Sequence, residues 1–477
     1  MISLILSLIV LAVGYWVYGR LTERAFGPDD RVTPAISVND GVDCVPLGTG
    51  KVFLVQLLNI AGTGPIFGAL MGAVFGPRVF LWIVFGSILG GAVHDYLTGM
   101  ISCRNGGASI AELSGKYLGK GALTVMRVFS VLLLILVGTV FVSSPAELLN
   151  MLTKDALGIK IWTGIILVYY ILATLLPIDK LIGRLYPVFG IVLILMAICI
   201  IGGILLGGYK IPEVWSGVGR PDGLPAWPYM FVTVACGAIS GFHATQSPMA
   251  AKCITSEKTG RRVFYGAMIS EAIIALVWAA AGVAYYGTTE LLNSRLTELG
   301  QSGVVYDIST GLLGVFGGVL AIVGVVACPV TSGDTAFRAA RLTLAEWFKL
   351  PQKKIQNRLL LTIPLLLIGA LLTTVDFDVI WRYFSWSNQT LAMIALWTAA
   401  AYLIGEKKGL ASLICALPAA FMSAVSITYI LMAKEGFRLG GAIAYPVGAL
   451  FAVGCFGYYL YALKRAEKNG AAGPNAL

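Results

Sequence analysis

The chain has 477 residues, of which 58% are hydrophobic and only 12% charged, with a mean hydropathy of +0.84. Soluble domains carry about 25% charged residues, so this composition excludes a soluble globular fold and points to a polytopic membrane protein. The net charge of +10 does not imply a nucleic-acid partner, because Lys and Arg collect in the cytoplasmic loops of membrane proteins.

Apolar runs near the bilayer-spanning length predict about 13 transmembrane helices, labelled α1 to α13 in chain order. The first, α1, covers 2–18. It lacks a basic leader and an evident small-residue cleavage site, so it reads as a retained helix rather than a signal peptide. Arg20 and Arg24 follow it, which favours an N-terminus outside the cell. The spans α2 to α13 then run at about 52–75, 79–102, 121–142, 161–176, 181–206, 228–246, 263–286, 308–331, 359–375, 379–401, 410–431 and 441–463. With the N-terminus outside, the inner segments hold 25 of the 34 Lys and Arg residues. An error of one helix would scramble that alternation, so the bias supports the topology and a cytoplasmic C-terminus. The eight cysteines show no CxxC or Cys/His metal spacing. Most lie in apolar runs, where a free thiol behaves as a small hydrophobe.

The spans repeat. Helices α2 to α6 and α7 to α11 begin at offsets of 176 to 198 residues. Five is an odd number, so the second set enters the membrane from the opposite face. That predicts a LeuT-type 5+5 inverted repeat, with one extra N-terminal helix and two extra C-terminal ones. The units are 1–51 (first helix and loop), 52–227 and 228–403 (the two repeats), and 404–477 (the last two helices and tail).

The first helix of each repeat is interrupted near mid-membrane. In α2 the interruption is Gly62-Thr63-Gly64-Pro65, and in α7 it is Gly237-Ala238-Ile239-Ser240-Gly241. Such breaks are tolerated where unwound backbone lines a polar cavity, and matched breaks in two halves mark a transporter's binding site. The half-helix beyond each break offers free N–H groups and a positive dipole end, suited to a carboxylate. Close packing of small residues is the competing reading. His243 follows the α7 break and could bind the carboxylate or carry a proton; Ser240, Thr245 and Gln246 add polar side chains beside it.

Helix α3 carries His94 and Asp95, and α8 carries Glu271. An intramembrane acid costs about 2.5–3.5 kcal/mol on insertion scales, so Asp95 and Glu271, with the histidines, are candidates for proton coupling; ion pairing with an inner Arg or Lys is the alternative. His94 and Asp95 are sequence neighbours and face different directions, so they need not pair. Helix α9 is expected to end at Pro329-Val-Thr331-Ser332-Gly-Asp334. Its oxygens suit a hard cation, and Thr331, Ser332 and Asp334 are a candidate sodium site; they could equally cap the helix. The loop 38–46, with Asp40 and Asp43, reads as a solvated turn, with a gate at the inner mouth as the alternative. Asn388 and Gln389 in α11 read as interhelical glue.

Taken together, Asn39-Asp-Gly-Val-Asp43 with Pro46, Ile60-Ala-Gly-Thr-Gly-Pro65, Gly90-Gly-Ala-Val-His-Asp95, Ala235-Cys-Gly-Ala-Ile-Ser-Gly-Phe-His243 and Asp334-Thr-Ala-Phe-Arg338 resemble the carbon-starvation protein A (CstA) family. The resemblance spans most of the chain in family order. It implies a bacterial inner-membrane transporter taking up pyruvate or small peptides. It brings no residue map of the substrate site. The chain looks shorter than the long family members, and Ala-Thr-Gln-Ser-Pro-Met after His243 departs from their Ser/Gly/Thr-rich run.

The expected activity is ion-coupled import of a small anionic metabolite, pyruvate ahead of peptides or amino acids. No cofactor is implied, and the coupling ion is H⁺ or Na⁺. There is no Walker-type loop for ATP and no His-Glu-x-x-His, so a pump and an intramembrane metalloenzyme are disfavoured. A channel or a sensor is the weaker alternative. The partners are the lipid bilayer and the solute. Oligomeric state is not encoded in any motif.

Overall fold

A computed structural model describes residues 1–41, 44–175, 178–352 and 354–469. Asp43 therefore lies outside the described residues, while Asp40 accepts the Cys44 N–H at 2.9 Å and closes a turn. Among the described residues the secondary structure is entirely helical. Nine helices among the described residues are each long and apolar enough to cross a membrane, and the bent pair Thr49–Ala61 (α2a) and Gly64–Ala73 (α2b) makes ten. Three more complete the thirteen positions. Ile159–Leu175 (α5) is shorter, and Phe377–Gly405 (α11) is long but carries buried Asn388, Gln389 and Thr398. The third is divided into Ala226–Thr233 (α7a) and Gly241–Ala251 (α7b).

The remaining spans are Ile2–Phe26 (α1), Val79–Arg104 (α3), Lys120–Leu152 (α4), Ile178–Leu206 (α6), Glu257–Tyr286 (α8), Gly317–Trp347 (α9), Ile355–Leu372 (α10), Leu410–Met432 (α12) and Gly441–Asn469 (α13). Burial separates the centre from the rim. Helix α3 is 83% buried and α8 89% buried, against 17% for α13 and 22% for α10. Helices α3 and α8 can carry acids because they are wrapped by protein, and the rim helices cannot.

Several boundaries differ from expectation; α1, for one, runs eight residues past 18, to Phe26. Helix α4 runs ten residues past 142, to Leu152, so Glu147 becomes a further acid inside a span. Helix α9 does not end at Pro329 but continues to Trp347. The polar stretch is compatible with helix because Thr331 Oγ1 donates to the Ala327 and Cys328 carbonyls at 3.0 and 2.8 Å, and Thr335 Oγ1 to Ser332 O at 3.0 Å. A hydroxyl satisfied by its own helix reads in sequence like a cap. The helical segments before α9 turn at Gly300 and Gly314, both at positive φ. A short helix, Ile110–Leu118, also appears between α3 and α4, started by a capping box of Ser109 and Glu112.

Side-chain contacts sort the loops onto two faces. On one, the Met1 ammonium pairs with Glu213 at 2.7 Å, Gln301 donates to Asp378 at 3.0 Å, and Arg382 pairs with Glu435. On the other, Arg104 clasps Glu257 through two hydrogen bonds of 3.0 and 2.8 Å, donates to Gly27 O at 2.7 Å and to Tyr402 at 3.1 Å, and stacks on Phe26 at 3.9 Å. Each face collects alternate loops, as thirteen crossings require.

Candidate substrate and coupling site

The two breaks meet at the centre. In α2 the chain leaves helical geometry at Gly62 (φ +29°, ψ −148°) and resumes in a wide π-type turn over Gly64–Gly68. A Cβ on Gly62 would lie 2.2 Å from the Phe141 ring. In α7 the helix stops at Thr233 and restarts at Gly241. Gly237 between them has φ +88°, and a Cβ there would meet Ala275 at 2.7 Å. Left-handed backbone and contact distance together leave room only for glycine.

The α7b start is held by helix α11. Asn388 Oδ1 accepts from the Phe242 N–H at 2.6 Å and from Ser240 Oγ at 3.1 Å. Gln389 donates to Phe231 O at 2.8 Å. Both residues are interhelical glue, as the sequence suggests, and Asn388 supplies the cap that Ser240 does not. Part of the positive end of α7b is thus already spent on an internal acceptor.

Below the breaks, three elements bring four titratable side chains into one buried chain. His243 of α7b places Nδ1 2.9 Å from Asp95 Oδ2. His94 Nδ1 lies 2.8 Å from Asp95 Oδ1. Sequence neighbours on a helix need not meet, but these two do: the imidazole folds back onto the next residue's carboxylate within a helix that widens over Ser87–Gly91 just before it. On the other side of His243, Nε2 is 3.4 Å from Glu271 Oε2, close enough for charge attraction but not aligned as a hydrogen bond. All four side chains are fully buried. No Lys or Arg among the described residues pairs with any of them, so the alternative of an inner basic partner does not describe Asp95 or Glu271. Asp95 takes two histidines instead. Cys236 lies beside the chain, with its thiol 3.3 Å from Ser240 Oγ and within 4.8 Å of His243 and Glu271 donor atoms.

Of the other expected residues, Thr63, Gly64 and Pro65 are wholly buried at the α2 break, and Gly241 packs on the Asn388 and Ala392 backbone. Thr63 Oγ1 has no hydrogen-bond partner. Thr331, Ser332 and Asp334 lie in the middle of α9, not at its end. Ser332 Oγ donates to Leu58 O at 2.6 Å, which ties α9 to α2 just before the break. Asp334 stands 3.9 Å from Arg338 one turn on.

Two amides were missed by sequence reasoning. Asn59 is fully buried with neither amide atom partnered, and Gln56 bonds Ser247 at 3.2 Å but leaves its oxygen unpartnered. Gln56 and Asn59 share one face of α2a at i and i+3, and Thr63 follows just past the point where the helix opens at Gly62. The signal was present, since amides in an apolar run facing an interruption are costly unless used. Glu147 was missed because α4 was expected to end before it; with Thr139 and Ser143 it lines a small cavity of about 120 Å³.

The comparisons with known proteins agree with this picture. Among curated proteins, an uncharacterized membrane protein of Haemophilus influenzae is 42% identical over 341 residues, 60% of this chain and 92% of that one. The peptide transporter CstA of Bacillus subtilis is 25% identical over 89% of each chain. The pyruvate/proton symporter BtsT of Escherichia coli is 27% identical over 57% of this chain and 47% of its own length. Among solved structures, MhsT in complex with L-phenylalanine aligns over 87% of this chain and 98% of its own, with a TM-score of 0.55 at 17% identity. A manganese transporter of Eremococcus coleocola, in a single-site mutant form, aligns over 91% and 99%, with a TM-score of 0.52 at 14% identity. At these identities the likeness shows the fold alone, which is the LeuT type. The model of carbon starvation protein CstA matches residues 1–160, 149–303 and 298–429, and the chain belongs to the CstA family of membrane transporters.

Proposed function

We propose that this protein is a proton-coupled secondary transporter that imports a small carboxylate-bearing metabolite, pyruvate foremost, by alternating access across the bacterial inner membrane, and that it is not an enzyme. The N-terminus and the face carrying Glu213, Asp378 and Glu435 are outside, as the charge bias requires. The observation that carries the reading is the buried chain His94–Asp95–His243–Glu271, joining α3, α7b and α8. Two carboxylates without a fixed cation are costly in a membrane protein's interior. Protons on the imidazoles or on Glu271 lower that cost, so the number of protons held depends on whether the centre faces water or protein. A substrate anion reaching the breaks adds one more negative charge beside two acids. It is best accommodated with one more proton, which gives one-to-one, electroneutral symport.

The substrate's carboxylate would meet the N–H groups of Thr63 and Gly64 and of Gly237, Ser240 and Gly241, and Asn59 its carbonyl; Pro65 has no N–H to offer, and those of Ala238 and Ile239 already bond Ala235 O. Pyruvate/proton symport by BtsT supports this choice of solute and ion. A second reading, an amino acid or small peptide, is favoured by the same acid excess, because Glu271 could pair with a substrate amine. A sodium ion held near Thr331, Ser332 and Asp334 is the alternative driver, and the Ser332 contact with α2 is its support.

Uptake of labelled pyruvate into proteoliposomes tests these together. Accumulation under an imposed proton gradient, unchanged by membrane potential, is the expected result. Accumulation under a sodium gradient alone would move coupling to α9. Uptake of di- and tripeptides or amino acids without pyruvate would replace the substrate.

A further inference from the structure

We infer that Arg382 and the cavity beside it form an external binding site for the substrate's carboxylate, and that Glu435 fills this site while the outer mouth is closed. The inference rests on the carboxylate transport proposed above. Arg382 lies in the second turn of α11, and its guanidinium pairs with Glu435 in the turn between α12 and α13. The Glu435 side chain is 8% exposed and that of Arg382 41%. The acid is sunk, while the guanidinium keeps a face toward solvent.

That face opens on a cavity of about 410 Å³ between α2b, α7a, the segment before α9 and the α12–α13 turn. Three of its charges are cations, Arg220, Arg382 and Lys434, and three are acids. Two acids already have partners that leave Arg382 alone: Asp222 is 2.7 Å from Arg220, and Asp378 accepts from Gln301 at 3.0 Å. Glu435 is the acid that occupies the guanidinium. An arriving carboxylate is the same chemical group and offers the same forked geometry. Exchange of one for the other keeps the guanidinium paired throughout, so it avoids leaving a charge unpartnered.

The position of this site gives it a consequence. Trp381, the residue before Arg382, forms the cavity floor. Its ring packs 6.1 Å from Phe67 and 5.9 Å from Phe377, and lies 3.7 Å from the Cβ direction of Gly68. Its indole N–H is buried without a partner. Phe67 stands three residues beyond Gly64, so this aromatic plug separates the cavity from the α2 break. A carboxylate on Arg382 sits directly above the plug, and releases the α12–α13 turn that Glu435 had tied down. The accessory hairpin thereby acts as an internal competitor for the substrate.

Concentration-dependent uptake by the full-length protein in proteoliposomes tests this, alongside calorimetric binding of pyruvate to the detergent-purified protein. Arg382→Gln is expected to raise KM and Kd at least tenfold with kcat within about twofold. Glu435→Gln is expected to lower both several-fold, because the competitor is gone. Arg382→Lys, which keeps charge but not the fork, should fall between. If the pair is only a latch, Arg382→Gln and Glu435→Gln break it alike and shift KM in the same direction, which overturns the inference. Wild-type protein that binds pyruvate through Arg382 but does not accumulate it would sink the transport reading and leave the site standing. Wild-type protein that does not bind pyruvate, or binding indifferent to Arg382→Gln, would sink the site.

Discussion

Asp95 is gripped by an imidazole on each oxygen, so an isosteric change there separates coupling from binding. In Asp95→Asn the amide keeps one acceptor and the shape, but cannot ionise. Proton-driven accumulation is expected to fall at least tenfold while exchange of substrate across the membrane persists; loss of both, with normal folding, would place Asp95 in substrate binding instead. Asn388 is a structural counterpart. Asn388→Ala leaves the Phe242 N–H and Ser240 hydroxyl without their buried acceptor, at a cost of about 1–3 kcal/mol per orphaned group. A clear drop in the thermal midpoint of the detergent-purified protein is expected, and an unchanged midpoint would mean that water replaces the cap. At this scale the sequence shows which side chains are out of place in an apolar run, but not their partners. His94 and Asp95 pair against their helical directions, and Asn388 reaches a backbone 146 residues away.

Helix α1 shows how an element outside the repeat is fixed. Its first residue is anchored by Glu213, which accepts from the Met1 ammonium at 2.7 Å and from Ser3 Oγ at 2.5 Å. Its last residue, Phe26, is stacked on Tyr402 and covered by Arg104. The Met1 ammonium and the Ser3 hydroxyl hold the Glu213 carboxyl at about 2, below its ordinary 4.5. A lowered folded-state value stabilises above 4.5, and that contribution is lost as pH falls from there toward 2. In thermal-shift profiles Glu213→Gln should be less stable than wild type at neutral pH and show a shallower loss below 4.5; parallel profiles would mean the anchor is not made in solution. The sequence located α1. It gave no sign of either anchor, because both partners come from loops far along the chain.

For the whole molecule, the two faces differ in access. On the face proposed to be external, Phe67, Phe377 and Trp381 pack together between the cavity beside Arg382 and the α2 break. On the opposite face a cavity of about 420 Å³ runs in from Lys349 and Gln352 to Thr245 and Ser130. Thr245→Cys should be alkylated by a membrane-impermeant thiol reagent from the cytoplasmic side, and from outside only when Trp381→Ala is added. Labelling of Thr245→Cys from outside without that change would reverse either the orientation or the state. The same reagent applied to Ile2→Cys tests the external N-terminus.

The sequence by itself determined the number and order of the spans, the repeat, the two breaks and the family, because each is written in local composition and spacing. Hydropathy, glycine and proline interruptions, and loop charge need no partner to be legible. The tertiary structure alone decided what the breaks face. It brought α3, α7b and α8 together around Asp95, moved the α9 hydroxyls from a helix end to mid-span, and set Glu435 of the accessory hairpin against Arg382. Those are contacts between residues distant in the chain. Their pairing depends on how helices cross and which faces they bury, which no local pattern specifies.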